Sequence, residues 1–123
     1  MQRQLYVTTK KYNDGARLIG ILSENNGRYS FEYKLGGKFH EWFLKLKEFP
    51  DATRKYEGVE VEDFINKFIP SKNHMFYKEL MESANLVTHD TWEILKAFGS
   101  RVAGLEYAFL HEELPEGAVV YEN

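Results

Sequence analysis

The sequence contains no cysteine, which excludes disulfides and thiolate chemistry. Its four histidines (His40, His74, His89 and His111) are scattered without the spacing of a metal site, so no structural zinc centre and no cofactor is expected. No apolar run approaches the roughly 20 residues that cross a bilayer, and Met-Gln-Arg-Gln runs at once into a strand-like segment instead of a signal peptide. A cytoplasmic protein without membrane contact is the expectation. Lys and Arg are absent after Arg101, and five of the nineteen acids lie beyond it: Glu106, Glu112, Glu113, Glu116 and Glu122. The remaining fourteen acids face sixteen bases, so the body is near neutral and the acidic C-terminal edge reads as a solvated end. A formal net charge of -3 argues against direct nucleic-acid binding as the main activity.

Catalytic signatures are missing too. Neither GxSxG nor HExxH occurs, and the catalytic and metal-binding triplets of kinases are absent. His89 beside Asp90 has no nucleophile context, and adjacent residues point in different directions. Gly99 and Gly104 bracket four residues like a phosphate loop, but a phosphate loop precedes its helix and carries Lys and Ser or Thr after its last glycine. Here a helix-spaced pattern (Trp92, Leu95, Phe98) comes first and an alternating one (Leu105, Tyr107, Phe109) follows. Gly99 therefore reads as a left-handed helix C-cap and Gly104 as a close backbone approach. No enzymatic activity is expected of this chain alone.

What is present suits one globular domain over residues 1–123: 43% of the residues are hydrophobic and 15% aromatic, enough to build a core. Leu5 to Thr9 is rich in strand formers, and YNDG after it is turn chemistry. ARLIGILSE, NNG and RYSFEYKL then read as strand, tight turn and strand. Tyr29, Phe31, Tyr33 and Leu35 fall on one face; Ser30, Glu32 and Lys34 fall on the other. FHEWFLKLKEFP predicts a further strand with Trp42, Leu44 and Leu46 on one side and Phe43, Lys45 and Lys47 on the other, ended by Pro50. DATRKYEG predicts a polar loop, and three short helices follow. The first places Val61, Phe64, Ile65 and Phe68 on one face, the second spans about 73 to 84, and the third starts at Asp90, a capping residue with Glu93 three positions on. The fold class expected is α+β: a small, curved antiparallel sheet with three short helices grouped after it.

Two segments give a more particular reading. RLIGILSENNGRYSFEYK, and DFINKFIPSKNHMFYKELMESANLVTHDTWEILKAFGSRVAGLEYAFLHEELPEG, together resemble the N-terminal subdomain of HipA-type toxin kinases. The first is similar to that family's opening hairpin. The second follows its helix ending in Pro (Phe64 to Pro70), its Asp-initiated helix (Asp90 to Leu95) and its glycine corner (Gly99 to Gly104). Phe68-Ile69-Pro70-Ser71-Lys72 stands where the family has LLPEG, Arg101 replaces an aspartate, and WFLKLKEFP replaces a strand of small residues. The chain ends at Asn123, where the subdomain ends, so the resemblance is to stand-alone, HipS-like forms in tripartite toxin-antitoxin systems. It implies a non-catalytic antitoxin that docks on and neutralises a separately encoded HipA-like Ser/Thr kinase, with a helix-turn-helix DNA-binding protein as third component. The alternatives are a split kinase whose N-terminal lobe this chain supplies, and an adaptor to the helix-turn-helix partner. The candidate partner-binding residues are Trp42, Phe43, Lys45, Lys47 and Phe49. Trp42 and Phe43 cannot easily both point inward from one strand, so either one is an exposed anchor or helices cover both faces of the strand, and the lysines suit an acidic cleft.

Overall fold

The tight turn at Asn25–Arg28 sets the register of the central hairpin. Asn26 (φ 53°) and Gly27 (φ 85°) both adopt the left-handed conformation, which matches a two-residue hairpin turn to the twist of its strands. In the computed structural model, which describes residues 2–9, 15–34, 46–51, 53–69, 77–83, 90–99, 108–118 and 120, this turn joins β2 (Leu18–Asn25) to β3 (Arg28–Tyr33). β1 (Gln2–Thr8) pairs with β2, β4 (Tyr56–Glu57) pairs with β3, and β5 (Phe109–His111) pairs with β1. Every pairing is antiparallel, giving the order β4-β3-β2-β1-β5, and the register shifts between Val7 and Thr8, where a bulge bends the strand.

Cross-strand partners share a face, so the pairings sort the side chains into rows. Leu5, Leu22, Phe31 and Tyr56 form one continuous row across four strands, and none is more than 2% exposed. The neighbouring row contains Leu110, Val7, Gly20 and Tyr33. Gly20 is required by space: a Cβ there would lie 2.7 Å from the Phe31 ring and 2.5 Å from the Glu32 carbonyl oxygen. This is the core face, and the expected alternation of Tyr29, Phe31 and Tyr33 toward it holds.

Two helices cover that face, and a third packs beside them. α1 (Val59–Ile65) buries Val61, Phe64 and Ile65, and the 3-10 turn Asn66–Phe68 that continues it adds Phe68. α2 (Tyr77–Ser83) contributes Met81. α3 (Thr91–Phe98) starts as expected at Asp90, whose carboxylate accepts from the Trp92 N–H at 3.1 Å. Glu93 lies 3.4 Å from Lys96 on its own helix. Trp92 and Leu95 join the main core, while Ile94 and Phe98 pack with Met81 in a second cluster. The architecture is α+β, a five-stranded curved antiparallel sheet with three helices.

Three expectations are corrected. DATRKYEG is not all loop: Tyr56 and Glu57 form β4, because Tyr56 completes the buried row beside Phe31. Leu46 and Lys47 do not continue a strand; Leu46 to Phe49 is a turn closed by the Phe49 N–H on the Leu46 carbonyl at 3.0 Å. Gly99 is not left-handed, since its φ of -59° continues the helix and its N–H donates to the Leu95 carbonyl at 2.8 Å. Packing explains it instead: a Cβ would lie 2.5 Å from Leu110 Cβ. This close approach lets the Gly99 carbonyl accept from the Leu110 N–H at 3.0 Å, which occupies part of the β5 edge. Gly104 and the YNDG turn up to Asp14 lie outside the described residues.

Candidate functional site: a turn and the open sheet face

Of the five residues singled out for partner binding, Phe49 is in the core, with no exposed surface. Its ring stacks on Phe31 at 4.5 Å and lies 4.8 Å from Tyr56 and 5.1 Å from Phe64, so it cannot serve as a surface anchor. Burying Phe49 fixes the turn that holds Lys47, which is exposed. The Tyr33 hydroxyl donates to the Phe49 carbonyl at 2.6 Å and accepts from the Leu46 N–H at 2.8 Å, pinning both ends of the turn to β3. Burial pushes this phenol up to about 12. Within the same turn Glu48 pairs with Lys67 beyond α1. Trp42, Phe43 and Lys45 lie outside the described residues.

The opposite face of the sheet carries the alternate side chains of each strand. Its rows are Gln2–Asn25–Arg28, then Gln4–Ser23–Ser30–Glu57, then His111–Tyr6–Ile21–Glu32. The first two rows border a polar depression of about 540 Å³. Its floor is low because the two central strands place serines opposite each other, Ser23 against Ser30, between the longer residues of the flanking strands. Gln2, Asn25 and Arg28 also line it, together with Lys55, Glu57 of β4 and Glu62 of α1. Lys55 lies 3.8 Å from Glu57.

At the rim of the core face, one charged row links sheet and helix. Arg3 donates to both carboxylate oxygens of its cross-strand partner Glu24, at 3.2 and 2.7 Å, and Glu24 is only 7% exposed. The Arg3 guanidinium also sits 5.1 Å from the Trp92 ring centroid and 3.8 Å from Asp90, the cap of α3. Its hydrogen bonds hold the Glu24 carboxyl below the usual carboxylate range, against the upward effect of burial. At the far edge His111 Nε2 lies 3.0 Å from Thr8 Oγ1, and burial lowers the imidazole from its ordinary value. Among the described residues no group of three or more His, Asp or Glu side chains is arranged to hold a metal ion, and no helix is long and apolar enough to cross a membrane.

The depression was not anticipated, although its signal is present in the sequence. Once NNG is read as a two-residue turn, Ser23 must oppose Ser30, and a pair of small residues at the centre of a sheet makes a hollow. The class that fold and surface define is a small α+β protein with one sheet face covered by helices and a polar, hollowed one opposite. No family model, curated protein or solved structure matches the chain.

Proposed function

We propose that this chain is a non-catalytic, cytoplasmic binding protein that docks on a separately encoded HipA-like Ser/Thr kinase and neutralises it, acting as the antitoxin of a system whose third component is a helix-turn-helix DNA-binding protein. One observation supports this reading. The two segments that carry the resemblance, 17–34 and 63–117, contribute the hairpin, the end of α1, α3 and β5 to a single buried core. Trp42 or Phe43 is the proposed anchor, with Lys45 and Lys47 steering the approach; Phe49 supports the turn from within. Co-expression with the neighbouring kinase gene tests the reading. Restored growth is the expected result, whereas toxicity that appears only when both chains are made would identify a split kinase instead.

A further inference from the structure

We propose that the hollow beside Arg28 receives a segment of the partner kinase that presents a single carboxylate; this inference rests on the function proposed above. Two cations line the hollow, Lys55 and Arg28, and Lys55 is already paired with Glu57. Arg28, at the wall of the hollow, has no ion pair or hydrogen bond to any described side chain. Its planar fork of donors is suited to two-point recognition of a carboxylate.

The rest of the lining defines what accompanies that carboxylate. Ser23, Ser30, Asn25 and Gln2 offer hydrogen bonds to backbone groups of a segment laid across them. Glu57 and Glu62 also line the hollow and repel a second acid, so a run of acidic residues is rejected while a single one is accepted.

Calorimetry of the full chain against the purified kinase tests the assignment. Arg28→Glu removes the carboxylate receptor, and Ser30→Trp fills the hollow from its floor; Lys78→Glu, on the exposed side of α2, is the control. Both hollow variants, shown folded by circular dichroism, are expected to bind at least about tenfold more weakly, as for loss of an interface anchor, with the control unchanged. Wild-type-like binding by both overturns the site and leaves the antitoxin reading standing. Weak binding by Ser30→Trp alone overturns the carboxylate assignment. A wild-type chain that fails to bind the kinase overturns the reading and the site together.

Discussion

Replacing Tyr33 by Phe removes one oxygen atom and tests how the Leu46–Phe49 turn is held. That oxygen bonds both the Leu46 N–H and the Phe49 carbonyl, and these residues are 3% and 0% exposed. The phenylalanine ring preserves the packing on Phe31, 4.9 Å away, so little apolar contact is lost. Each of the two buried polar groups left without its partner costs about 1–3 kcal/mol, so the variant is expected to lose about 2–6 kcal/mol. The urea midpoint should fall with an unchanged slope, and the Leu46 amide should exchange faster with solvent. Alkaline titration gives a second readout. Because the folded phenol is raised above its ordinary 10.0 to about 12, its contribution is complete below the lower value and is lost as pH rises through the higher one. The variant should lack that part of the alkaline decline. A loss below about 0.5 kcal/mol, within the range of ordinary surface substitutions, would refute the pinning argument.

Gly99→Ala should destabilise by about 1–3 kcal/mol through overpacking against Leu110, although alanine is the better helix former; a neutral or stabilised variant in urea would refute the close-packing account. Phe49→Ala should cost about 3–5 kcal/mol and act on the kinase only through unfolding, which circular dichroism and binding measured together would separate from a direct contact. Glu24 contributes stability above its ordinary 4.5 that is lost as pH falls through its lowered folded value, so Arg3→Met should flatten the acid limb of stability measured from about pH 6 to 3.

Local chemistry carried most of the fold. The Asn-Asn-Gly turn, the alternation of Tyr29, Phe31 and Tyr33, the Asp90 cap and the spacing of Val61, Phe64, Ile65 and Phe68 are each decided within a few residues, and the structure agrees with them. What escaped was decided at long range. Tyr56 becomes a strand residue only because the Leu5–Leu22–Phe31 row ends beside it. Phe49 becomes core because Phe31, Tyr56 and Phe64 surround it, a fact that alternation along 39–49 could not contain. Gly99 owes its identity to Leu110, eleven positions away, and not to its own φ. For the site, Lys47 is exposed as expected, whereas the hollow needed two strands to be placed side by side.

The most direct test of the account is whether the purified chain binds the purified kinase in a defined ratio and suppresses its autophosphorylation with labelled ATP and magnesium. The account predicts a saturable complex, suppression that follows occupancy, and no turnover of ATP by this chain alone. Kinase activity that is absent without this chain and appears on its addition would contradict it.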